Sequence, residues 1–203
     1  MASIMMHLVV AEKYLEKHKD EDRVPFLRGT IEPDVDIERR ELHKEKKGTH
    51  YGRRVFGSSV YELMNTKVDL AVFLKSNNID TSYNRGVFLH LIFDDMFFRL
   101  VYEPEYENIP WQKVVADRFD DYACINYYIE NKYGTKSIFP LPAKVLSCKD
   151  KLPSILRLDD FENFIDILSA INLDKTKEEI LRDYQRWREG FYEKFGRRPK
   201  IKN

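Results

Sequence analysis

The chain has 203 residues, enough for one domain with a full core. Its 34 basic and 34 acidic residues balance to zero, which leaves no whole-molecule attraction to nucleic acid or to an anionic membrane. The two cysteines, Cys124 and Cys148, fit neither a disulfide framework nor a zinc ribbon, and no window approaches the roughly eighteen apolar residues of a membrane span. With no charged leader ahead of an apolar run, the expected compartment is the cytoplasm.

Residues 3–18 predict the first helix: Ile4, Leu8, Ala11 and Leu15 form one apolar stripe, and His7 lies beside it. Residues 25–37, PFLRGTIEPDVDI, predict a loop, because Gly29 permits an unusual turn and Pro33 biases Glu32 away from helix. Asp34 and Asp36 follow that turn, placed to cap a helix or to be held toward a site. Residues 38–54 are the most polar stretch, have no apolar period, and predict a surface excursion carrying His43 and His50. Residues 55–77 return to helical spacing, as one helix or two.

After a turn at 77–83 comes GVFLHLIFDDMFFRLV, residues 86–101, which predicts a helix apolar on nearly every side and therefore central. An extended linker with two prolines, 102–110, leads into a long helix at 111–133 that holds Cys124 and ends at Gly134. Residues 140–152 predict a further helix. Residues 159–171 predict an amphipathic helix capped by Asp159 or Asp160, and 176–195 a last helix opened by a Thr176–Glu179 capping box. The tail from Gly196 is basic. With no alternation of strands and helices, no Gly-rich phosphate loop and no repeat, the class is all-α, with seven or eight helices in a single domain spanning 1–203. Residues 1–101 hold the candidate site, 102–195 the supporting helices and 196–203 the tail.

The central helix carries His90 and Asp94 one turn apart on one face. A carboxylate taken into a protein interior costs several kcal/mol unless its charge is answered. Either a protonated His90 answers it, or a metal does. The candidate ligands in chain order are His7, Asp34, His50, His90 and Asp94, and all five histidines of the chain fall before residue 91. Imidazoles with carboxylates suit zinc or another divalent ion such as manganese or iron.

The ordered set resembles the zinc-dependent phospholipase C family, whose superfamily includes the P1-type nucleases. FLRGTIEPDVDI is similar to that family's Gly-x-x-x-Pro-Asp segment, RGVFLHLIFDDMFFR to its His-x-x-x-Asp core helix, and SIMMHLVVAEKYLE to its opening helix. The resemblance covers residues 1–101. It implies an all-α bundle with metal ions in a cleft. By it, Asp34, His50, His90 and Asp94 hold one zinc, and Asp94 bridges to a second ion bound by His7 and a processed amino terminus. The family's remaining site uses a histidine and a His-x-x-x-Glu further along, and this chain has no histidine after His90. Asp117 and Asp121, one turn apart, are either carboxylate substitutes there or a solvated stripe.

The leading expectation is a metal-dependent hydrolase of a phosphoester that uses a metal-activated water as nucleophile. Asp34 and Asp94 are the catalytic candidates, with Asp36 an alternative base, and Lys47, Arg53, Arg54 and Arg99 are candidates for binding substrate phosphate. The alternative is a non-catalytic all-α protein with a structural metal or none. An HD-type phosphohydrolase is disfavoured because no His-Asp pair is adjacent in sequence.

Overall fold

The computed structural model describes residues 3–39, 50–51, 68–102, 111–135 and 157–196. Among them it contains seven α-helices and no strand: α1 (Ile4–Lys17), α2 (Arg23–Arg39), α3 (Leu70–Ser76), α4 (Ser82–Phe97), α5 (Trp111–Tyr133), α6 (Leu158–Ser169) and α7 (Leu173–Phe195). A π-helical turn, Phe98–Tyr102, continues α4. No helix among the described residues is long and apolar enough to cross a membrane.

Helix α4 is the axis of the fold. Every residue from Gly86 to Phe97 is buried, as expected of a segment with no polar face. Helices α1, α2, α3, α6 and α7 all pack on it, and α5 packs on α1. Aromatic rings fill the far end: Phe93 and Phe97 meet Phe164 of α6, which also meets Phe191 and Phe195 of α7. Cys124 of α5 is buried.

Local signals account for most of the ends. Ser3 caps α1, accepting from the Met6 N–H, and its hydroxyl donates to Asn126 of α5, which ties the start of α1 to that helix. Asp69 caps α3 and Thr81 caps α4. Gly134 follows α5 at a φ of 68°, where a side chain would be strained.

Three expectations are corrected. The 25–37 segment is not a loop but the body of α2, with Pro33 inside it. Gly29 serves a helix crossing rather than a turn: a Cβ there would lie 2.0 Å from the carbonyl oxygen of Tyr83 in α4. Gly86 is its counterpart, with a Cβ 2.1 Å from the Phe26 oxygen. The two helices thus touch backbone to backbone, and that contact supports α2 although Pro33 cannot donate to the Gly29 carbonyl one turn back. The second correction concerns α6, whose N-cap position is Arg157, with Asp159 and Asp160 in the first turn. The third concerns α7, which begins at Leu173 under an Asn172 cap, so that Thr176 is buried inside it. Helix α7 is also broken at Asp183, whose backbone is extended (φ −159°) and whose carboxylate caps the second segment by accepting from the Arg186 N–H. The predicted elements at 55–67, 103–110 and 140–152, and the tail beyond Gly196, lie outside the described residues.

Alanine at Gly29 or Gly86 should force the crossing apart and lower stability by on the order of 2–3 kcal/mol in urea unfolding. Gly190, inside α7, is the control, because a Cβ added there would meet no atom within 4 Å. Gly190→Ala should instead raise stability, by up to about 1 kcal/mol.

Candidate metal centre

His7, Asp34, His50, His90 and Asp94 meet at one place beside α4. His7 comes from the first turn of α1, Asp34 from α2 directly after Pro33, and His90 and Asp94 from successive turns of α4. The side chains of His7, His50, His90 and Asp94 are buried, and that of Asp34 is 10 % exposed.

Supporting contacts set the direction of each ring. The Nδ1–H of His90 donates to the Thr30 carbonyl at 2.8 Å, which leaves Nε2 of the neutral ring with its lone pair facing the cluster. His7 stacks on His90 with ring centroids 3.8 Å apart, and Phe93 meets the His7 ring edge-on. Tyr51, next to His50, holds a positive φ of 52°. A non-glycine residue there costs of order 1–3 kcal/mol unless its surroundings enforce it. Here the Asn77 amide donates to the Tyr51 hydroxyl at 3.1 Å, and the Tyr51 ring packs edge-on against Phe73.

The contacts within the cluster have a distinctive length. The His50 Nε2 lies 3.4 Å from Asp34 Oδ1, 3.4 Å from Asp94 Oδ2 and 3.3 Å from His90 Nε2. The His90 Nε2 lies 3.5 Å from Asp94 Oδ2. Charge-assisted hydrogen bonds are shorter, about 2.7–2.9 Å. Ion pairs elsewhere in this protein reach that range, with Arg99–Asp95 at 2.8 Å and Arg85–Asp174 at 2.9 Å. By contrast, a tetrahedral ion with bonds of about 2.0–2.1 Å separates its ligands by about 3.3–3.4 Å. Four edges of a tetrahedron on Asp34, His50, His90 and Asp94 therefore have the length that a bound cation requires. Both ring nitrogens of His7 are buried without a hydrogen-bond partner among the described residues, a cost of about 1–3 kcal/mol per group if nothing answers it. Were all three imidazoles deprotonated, as coordination requires, they and the two carboxylates would sum to −2, the complement of one divalent cation. The residues present thus fit a metal.

Each carboxylate also divides its oxygens. Asp94 turns Oδ2 to His50 and His90 and Oδ1 to His7, at 3.3 Å. Asp34 turns Oδ1 to His50 and Oδ2 to His7, at 3.8 Å. Both can bridge a position among His50 and His90 to one beside His7.

The protonation states follow from burial and from these neighbours. Burial pushes the His7 imidazole below its ordinary value, and the adjacent His90 adds to this, so His7 is neutral and able to coordinate. Burial acts the same way on His50, but the Asp34 and Asp94 carboxylates overcome it and raise the ring above the usual 6.5. Burial alone would raise both carboxylates. His50 and His90 instead hold Asp34 below the usual range; Asp94 lies well below it, with positive charge nearby and then hydrogen bonds from His50, His7 and His90 lowering it.

The other candidates fare differently. Arg99 is not brought to this cluster; its guanidinium is engaged with Asp95. Lys47, Arg53, Arg54 and His43 lie outside the described residues, as do the side chains of Asp36 and Asp117. Asp121 is buried on α5. Sequence reasoning missed the Thr30 carbonyl and Tyr51. A backbone acceptor leaves no residue-type signal, whereas the tyrosine directly after His50 was readable as a wedge. Comparison with known proteins adds no relative: no family model, no curated protein and no solved structure matches this chain.

The two linkages run in opposite directions. In the metal-free protein the depressed Asp34 and Asp94 contribute stability above the ordinary carboxylate value of 3.8, lost as pH falls through their folded values. The raised His50 contributes stability below 6.5, lost as pH rises through its folded value. A proton on His50 competes with a cation, so zinc should stabilise least in acid. Thermal melts with and without zinc should show the metal-dependent rise in Tm shrinking as pH is lowered through the raised folded value of His50, a loss that begins above 6.5.

Proposed function

We propose that this protein is a metal-dependent hydrolase of a phosphoester, with zinc, or manganese or iron, held by Asp34, His50, His90 and Asp94. The observation that carries the metal assignment is the set of 3.3–3.5 Å contacts among these four side chains, longer than the closest charged hydrogen bonds of the protein and near the separation of ligands on one ion. His7, with the second oxygens of Asp34 and Asp94, faces a further position that would take a second ion. The resemblance to the zinc-dependent phospholipase C family supports the reaction class. The chain lacks that family's later histidines, so the centre is a reduced one, built from the first half of the pattern.

A divalent ion at this position would supply Lewis acidity toward a phosphoryl oxygen and toward an attacking water. The chain's own groups supply the rest. Thr30 and the stacked His7 hold His90 in one tautomer and one orientation. Asp34 is the ligand with an edge open to solvent, so reactants approach on its side, and its depressed pKa keeps it ionised as a ligand rather than making it a strong base. Asp94, sealed on α4, holds position and charge.

A second reading is a structural metal, favoured by the near-complete burial of the other four ligands, since structural zinc sites are closed. The two readings part experimentally. Elemental analysis of freshly purified protein should find a divalent metal, and His90→Ala should lose it and melt at a lower temperature together. Turnover of bis-p-nitrophenyl phosphate that His90→Ala abolishes supports the hydrolase. Metal without turnover of that ester, a phospholipid or single-stranded nucleic acid supports the structural role. Protein without metal, whose Tm is unmoved by zinc or manganese, refutes both.

A further inference from the structure

We propose that Arg99 and Arg188, gathered around Asp95, form a binding site for an oxyanion of the phosphate class, separate from the metal centre. Asp95 follows Asp94 on α4 and so lies about 100° further round the helix. It faces α7, whereas Asp94 faces α1 and α2. Asp95 is buried and fully engaged: Oδ1 accepts from Arg99 Nε at 2.8 Å and Arg188 Nη2 at 3.4 Å, and Oδ2 from Arg188 Nε at 3.1 Å and the Tyr184 hydroxyl at 2.8 Å.

One carboxylate against two guanidiniums leaves a charge of +1. Arg188 lies over the Tyr184 ring, 3.6 Å from its centre, which fixes its plane. Arg99 meets Asp95 through Nε alone. Its two terminal nitrogens, and Nη1 of Arg188, have no hydrogen-bond partner among the described residues. The arginine side chains are 17 % and 15 % exposed, largely withdrawn from water yet with an open edge. Donors turned toward that open edge, in a cluster of net positive charge, can be met by an anionic acceptor from solution. The planar fork of a guanidinium matches a tetrahedral oxyanion, which takes two N–H bonds at once. Asp95 and Tyr184 hold the two forks and cannot themselves satisfy the outward donors.

The site is independent of any cation on Asp94, so its failure and that of the metal centre are distinguishable. The test is calorimetric titration of the full chain with inorganic phosphate at constant ionic strength, with and without a chelator. Arg99→Lys and Arg188→Lys keep the charge opposite Asp95 but remove the fork. Saturable binding that survives the chelator and weakens by about tenfold or more in each variant is expected. Should one variant fail to fold by circular dichroism, the other carries the comparison. Absence of saturable binding, binding by both variants as tight as that of the unaltered chain, or binding that the chelator abolishes would overturn the proposal, the last placing the anion at the metal centre.

Discussion

The crossing of α2 over α4 is the constraint on which the rest depends. With no side chain at Gly29 or Gly86, the two backbones touch. From that point the ligands are placed by counting turns. His90 and Asp94 lie one and two turns past Gly86, and Asp34 lies just beyond one turn past Gly29. Thr30, adjacent to the contact, can therefore present its carbonyl to His90 at 2.8 Å. An interposed methyl would move one pair of ligands against the other by a large fraction of a metal–ligand bond, a displacement a coordination site does not absorb.

The surrounding oil makes this placement consequential. In a wet cleft, three imidazoles and two carboxylates would each find water and hold no fixed separation. Beside α4 they are withdrawn from water, with Phe93 against the His7 ring, where charges interact strongly and unanswered ones are costly. The same burial that makes Asp94 expensive would favour a cation in the cluster. His7 packs there by its ring faces and edge, while its two nitrogens are buried.

What was legible in the sequence was local. The stripe of α1, the bounds of α5 and the all-round apolarity of α4 were read correctly because each is a pattern within one segment. The five candidate ligands were gathered by their chemistry and order, and the structure brings them together. What failed was the inference from single residues whose role depends on a distant partner. Gly29 and Pro33 read as breakers, because nothing nearby in sequence shows that Gly86 stands opposite. Thr176 read as a cap because its competitor, Asn172, differs only in where the chain enters α7. The break at Asp183 was missed because the apolar spacing runs through it. Tyr184 and Arg188 lie some ninety positions from Asp95, so no periodicity could have joined them to it.

Asp94 and Asp95 show how much of this protein follows from one problem solved twice. Neighbours on the same helix, both are buried and both are carboxylates. Asp95 is answered by side chains that reach it, and its contacts with Arg99 and Tyr184 close to 2.8 Å. Around Asp94 the imidazoles stand off at 3.3–3.5 Å, whereas at Asp95 only the Arg188 contacts, at 3.1 and 3.4 Å, are that long. The wider spacing matches the separation that ligands of a single ion would have. The difference between two adjacent residues is thus the strongest physical argument for an ion at the first, and it makes the surplus of cationic charge at the second a feature to explain in its own right.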